Sequence, residues 1–179
     1  FTPEPFYVGL TLEEIALERE EDAVTAYLAI LDMAYGPDAP DDVRESIVAR
    51  SMKEEDIAGL YQWADTNVSS DGELAGPHPR GYGSFTRVLR TQVREGGMLS
   101  LEEAVYRMTG LAAEHMGIVG RGVIREGAWA DLVLFDPEMV TDHADFESPQ
   151  LASTGIHGVW VNGVQVWDID SVVPSAYPG

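Results

Sequence analysis

The run VWV-NG-VQV at residues 159–166 constrains this chain more than any other stretch. Asn162-Gly163 sits between two alternating runs, and Asn-Gly tolerates the two positive φ values that a two-residue hairpin turn demands. The last third is therefore expected to pair antiparallel. Val, Ile, Leu and Trp also crowd residues 122–126 and 131–135, which read as further strands. Residues 136–155, rich in acids and turn formers, read as a long connection.

Upstream of Gly117 the period is helical. Thr11 with Glu14, Ser51 with Glu54 and Ser100 with Glu103 each have the S/T-x-x-E form, in which two side chains satisfy the free amides of a helix start. Leu12, Ile15 and Ala16 give a short apolar stripe, and a second pattern from Ala23 to Ala34 stops at Gly36-Pro37. A Ser51-capped helix is expected to run to about Gln62. Phe85, Val88, Leu89 and Val93 continue at helical spacing to Gly96-Gly97, and Leu101, Ala104, Val105, Met108, Leu111 and Ala112 share one face of another helix. A short apolar run at 46–49 and a stretch at 66–70 that reads as a second short strand flank the Ser51 helix, which is the spacing of a βαβ unit with parallel strands. Two such strands are too few for a sheet of their own, so the chain reads as a piece of something larger.

Composition narrows the function. With 45% hydrophobic residues the chain can bury a core, and its 31 acidic against 11 basic residues leave a formal charge of -20. Such a surface repels nucleic acid and anionic membrane. The absence of cysteine removes disulfides and thiolate metal clusters. No apolar run approaches the roughly 18 residues that span a bilayer, so the chain is expected to be soluble and cytoplasmic. It opens on Phe1 rather than Met, so a true beginning upstream is an expectation.

The chemistry concentrates just after residues 66–70. Asp71 follows that expected strand directly, where the loops of a barrel of βα units converge on one mouth, and a carboxylate there can bind a metal or pass protons. The alternative is an Asp that caps a turn or the next helix. His78, Arg80 and Tyr82 lie in the adjoining Gly/Pro-rich loop. Arg80 can take a substrate carboxylate through two parallel hydrogen bonds, or can pair with one of the many surface acids. His115, His143 and His157 are too far apart in sequence to form a local pair of ligands.

In combination these stretches resemble a known family. S-S-D-G at 69–72, G-P-H-P-R-x-Y-G at 76–83, L-S-L-E-E-A-V-x-x-M-T at 99–109, R-G-x-I-R-E-G-x-x-A-D-L-V-L-F-D at 121–136 and V-N-G-V at 161–164 look like the C-terminal part of an N-acyl-D-amino-acid deacylase, the D-aminoacylase branch of the amidohydrolase superfamily. G-L-T-L-E-E-I-A at 9–16 is similar too.

The resemblance implies an α/β fold. Residues 1–117 would be the C-terminal portion of a metal-dependent TIM-barrel hydrolase, carrying its last βα units, and residues 118–179 would be strands of a small composite β-domain. Residues 46–49 would lie near the seventh barrel strand and 66–70 on the eighth. Asp71 would approach zinc and act as general base, passing a proton from the attacking water to the leaving amine. A carboxylate turned to bulk solvent, away from converging strand ends, would count against that placement and against the deacylase reading that leans on it.

The family's His-x-His, bridging ligand and middle-strand histidines have no counterpart here. The remaining N-terminal part of the same enzyme would supply the other zinc ligands, and this portion alone should be inactive. Its open sheet edges would invite pairing with another chain, so a homo-oligomer is open. The substrate would be a small N-acyl-D-amino acid. A cyclic-amide enzyme of the dihydroorotase or hydantoinase kind, or a non-catalytic assembly module using Trp129, Trp160 and Trp167, are the rival readings.

Overall fold

The computed structural model describes every residue except 44–46, 48, 50, 51, 74, 75, 77, 170, 175–177 and 179. It divides into two compact units, Phe1–Ser51 and Met52–Gly179.

The first unit is a helical pair, α1 (Leu12–Glu18) and α2 (Ala23–Tyr35), after a 3-10 turn at Pro5–Tyr7. Thr11 and Glu14 make both halves of the expected capping box: Thr11 Oγ1 accepts from the Glu14 amide at 3.2 Å, and Glu14 Oε2 accepts from the Thr11 amide at 2.7 Å. Asp22 caps α2 by accepting from the amides of Val24 and Thr25, and α2 ends at Gly36 as expected. The two helices pack together, and their buried residues are Ile15, Ala16, Ala26 and Ala34.

In the second unit, among the described residues, only the helix of the expected βαβ crossover is formed. The helix is present as α3 (Glu54–Tyr61), but its cap is Lys53, whose amide donates to Asp56 Oδ2 at 2.9 Å; Ser51 lies outside the described residues. The expected strand at 46–49 falls largely on residues outside those described. Residues 66–70 are described and are not a strand. A strand exists only beside a second row of backbone donors and acceptors, and here the Val68 amide finds the Arg107 carbonyl on a helix instead, at 3.2 Å.

Helix α4 (Arg80–Val88) runs without a break into a π-helical segment, Leu89–Glu95, that ends at Gly96. In that wider turn the Thr91 carbonyl comes so near Gly96 that a Cβ there would sit 2.6 Å from it, which only glycine avoids. The helix expected from Leu101 through Ala112 is two helices, α5 (Leu101–Met108) and α6 (Gly110–His115). The break falls at Thr109, whose φ of -130° and ψ of -84° leave the helical region and whose hydroxyl donates back to the Val105 carbonyl at 2.6 Å. At α5 only half a capping box forms. Ser100 Oγ accepts from the Glu103 amide, while the Glu103 carboxylate bonds Arg107 one turn on.

The antiparallel sheet has the order β1 (Leu132–Phe135), β2 (Ile156–Val161), β3 (Val164–Asp168), β4 (Ser171–Val172). The β2–β3 hairpin turns on Asn162 (φ 50°) and Gly163 (φ 81°), with Val161 opposite Val164. Strand β4 was not expected, and the strand expected at 122–126 is a loop. That loop is pinned to the hairpin instead: Arg121 donates to Asp131 and to Asn162 Oδ1, its guanidinium lies 5.0 Å from the Trp129 ring centre, and Asp131 accepts from the Asn162 amide.

The core of this unit joins helix to sheet. Buried Leu89, Leu99, Ala104 and Val140 pack with Val88, Val93, Val105, Phe135 and Ile156. Three arginines fasten segment 137–142 over it. Arg90 grips the buried Asp142 with two bonds, Nε to Oδ1 at 2.6 Å and Nη2 to Oδ2 at 3.2 Å, with Arg87 3.7 Å from Oδ2. Arg94 donates to the carbonyls of Pro137 and Val140 and to Thr141 Oγ1. Burial pushes the Asp142 carboxyl up, but the arginines outweigh it and hold the group below the usual carboxylate range. Among the described residues no helix is long and apolar enough to cross a membrane.

Candidate functional site

Asp71 and Arg80 are brought together by backbone contact. Asp71 has a φ of 45°, a left-handed conformation that Asp tolerates better than most residues, and the chain then folds back onto the first turn of α4. A Cβ on Gly72 would lie 2.5 Å from the Gly81 Cα, and one on Gly81 would lie 2.6 Å from the Glu73 carbonyl oxygen. Two glycines therefore let the backbones touch. That contact sets Arg80 Nη1 3.1 Å from Asp71 Oδ2.

The pair is open to water. The Asp71 side chain is 84% exposed and that of Arg80 44% exposed. Asp71 thus faces solvent, with no strand ends around it among the described residues; the barrel-mouth placement expected from the sequence is not met within this chain and lends the deacylase reading no support.

His78 is fixed beside this pair. Its Nδ1 accepts from the Arg80 amide at 3.1 Å, so a neutral ring carries its proton on Nε2, and Phe146 meets the ring edge-on at 5.1 Å between centres. Phe146, from the long connection, is a neighbour the sequence did not announce. Tyr82 lies on α4 beyond Arg80, its carbonyl accepting from Ser153 Oγ at 3.3 Å.

The other histidines stand apart. His115 meets Asn67 Nδ2 at 3.1 Å and His143 meets Thr154 Oγ1 at 2.9 Å. Among the described residues no group of three His, Cys, Asp or Glu side chains could hold a metal ion. Asp71 fits the part of one accessible carboxylate beside a metal, and the described residues supply no further ligand set.

Sequence reasoning overlooked Arg107. It is only 3% exposed, and it donates to the Trp63 carbonyl at 3.0 Å, the Thr66 carbonyl at 3.3 Å and Glu103 Oε1 at 2.6 Å. The signal was legible: Arg107 sits three residues after Ala104 on the core-facing stripe, with an acid four residues before it.

The sequence profile of the amidohydrolase family matches residues 15–167. An N-acyl-D-aspartate deacylase of Alcaligenes xylosoxydans xylosoxydans is 54% identical over 119 residues, covering 65% of this chain and 24% of that protein. An N-acyl-D-glutamate deacylase of the same organism is 41% identical over 180 aligned positions, covering 99% of this chain and 34% of that protein. The crystal structure of N-acyl-D-glutamate deacylase from Bordetella bronchiseptica, complexed with zinc and a phosphonate mimic of the tetrahedral intermediate, superposes with a TM-score of 0.71 at 39% identity over 92% of this chain and 33% of that one. The chain spans about a third or less of the length of these relatives.

Proposed function

The chain belongs to the amidohydrolase family, and on that premise we propose that the enzyme it forms part of hydrolyses the amide bond of N-acyl-D-amino acids, those with acidic side chains foremost. The observation that carries this is the 41% identity with an N-acyl-D-glutamate deacylase across 99% of the chain, a span that includes Asp71 and Arg80. The 54% identity with an N-acyl-D-aspartate deacylase supports the acidic preference.

In this reading residues 1–117 belong to the barrel and 118–179 to the small β-domain, and the rest of the enzyme surrounds Asp71 and supplies the other zinc ligands. Zinc bound by those ligands would supply Lewis acidity that lowers the pKa of the attacking water towards about 7. Asp71 takes a proton from the attacking water and returns it to the amine nitrogen as the C–N bond breaks, so one carboxylate serves both half-steps. Arg80 receives a substrate carboxylate through its planar fork, which a surface of net charge -20 would otherwise repel. His78 is held beside Arg80 by the Arg80 amide and Phe146, and Tyr82, two residues on along α4, is a further candidate for substrate contact.

Full-length enzyme offered N-acetyl-D-aspartate, N-acetyl-D-glutamate and their L enantiomers tests this. Cleavage of the D forms alone, lost on chelation and recovered with zinc, is the expected result. Turnover of a cyclic ureide with the linear amides untouched would overturn it. The 179-residue chain by itself is expected to be inactive.

A further inference from the structure

We infer that Arg107 is a positioning residue for the site: it fixes the segment from which Asp71 leaves the chain. This rests on the proposed role of Asp71 as general base. The inference stands on three contacts that converge on one stretch. The buried guanidinium donates to the carbonyls of Trp63 and Thr66, in the turn that follows α3. Its own carbonyl accepts from the Val68 amide at 3.2 Å. Glu103 holds the remaining edge of the fork from one turn back on α5. Residues 63–68 are thus tied to α5 from both sides of the same amino acid, and Asn67 is held in addition by His115 on α6.

Among the described residues, the stretch 63–68 is held by these contacts and not by a strand ladder. A planar fork satisfies two carbonyls and a carboxylate at fixed angles, whereas a lysine ammonium holds them as a point charge. Loss of the fork would let Asp71 drift, and a displacement near 1 Å at a reacting group costs up to about 100-fold in rate.

The test uses full-length enzyme carrying Arg107→Gln or Arg107→Lys. Expected for Arg107→Gln is a kcat lowered about 10- to 100-fold with KM within about twofold, since binding groups stay put while the base does not. Arg107→Lys should recover part of the rate. Hydrogen exchange should quicken at amides 63–70 and stay unchanged in the hairpin at 156–168. A folded variant of either kind with wild-type kcat, or exchange that rises evenly along the chain, overturns the inference. Should Arg107→Gln fail to fold, Arg107→Lys decides. An enzyme inactive on every N-acyl-D-amino acid sinks the deacylase reading alone, and exchange at 63–70 then decides this one: selective loosening upholds it and unchanged protection overturns it.

Discussion

Arg80 Nη1 lies 3.1 Å from Asp71 Oδ2, across a contact that two glycines make possible. Both side chains face water, and an exposed pair of this kind contributes only about 0–1 kcal/mol to stability. The arrangement is therefore better explained by what the two groups do than by what they hold together. Replacing Asp71 by Asn should cost about 10²–10⁴ in kcat in the full-length enzyme, while in the 179-residue chain, where the pair faces water, it should move the thermal midpoint by no more than about 2 °C. Steady-state kinetics beside a thermal melt measure both, and an unchanged kcat would remove Asp71 from the chemistry.

Arg80 should show in binding rather than in turnover. Arg80→Ala is expected to raise KM for N-acetyl-D-aspartate about tenfold or more, with Arg80→Lys recovering only part, because an ammonium does not reproduce two parallel hydrogen bonds. If Lys restores KM fully, the fork is not what recognises the substrate.

The Asp142 pair is a matter of stability. Because folding holds this carboxyl below its unfolded value near 3.9, its contribution is fully present above that pH and drains away as pH falls through the lower, folded value. Asp142→Asn should therefore lower stability at neutral pH by about 1–3 kcal/mol, since it removes the buried charge that Arg90 and Arg87 share and leaves Arg90 with Glu95, and should flatten the acid limb below about pH 4. Urea unfolding across that range checks it. A variant with the wild-type slope would mean the pair does not drive the acid response.

Gly155 has a φ of 80°, and a Cβ there would lie 2.6 Å from the backbone of Val140, which is fully buried. Gly155→Ala is expected to destabilise by about 1–3 kcal/mol from backbone strain, with the clash in addition. A loss under about 0.5 kcal/mol would show that the 139–140 backbone yields.

What the sequence revealed follows from the range of each interaction. The Asn162-Gly163 turn and the Thr11–Glu14 box were legible because every participant lies within a few residues. The half-box at Ser100 was misread because Glu103 had a competing partner in Arg107, and no local rule weighs a buried guanidinium against a free amide. A strand at 66–70 was expected from βαβ spacing and one at 122–126 from apolar content, yet a strand needs a neighbour, and these stretches meet a helix and an arginine loop. At the site, the sequence picked out Asp71, His78 and Arg80, and the structure draws them together. Phe146 and Arg107 were hidden because each approaches from a distant part of the chain.

The wide turn at Leu89–Glu95 has a consequence for length. It holds about one residue more than an ordinary helix would over the same rotation, so removing one there would leave the helix beyond it on nearly its present bearing. Between Arg80 and Arg87 there is no such slack, and one residue removed would turn Arg80 by about 100° against Arg87 and Arg90, so that the contacts to Asp71 and to Asp142 could not both be kept. A single-codon deletion in α4 should therefore be far more harmful than one in the wide turn that spares Arg90 and Arg94, though both leave composition almost unchanged.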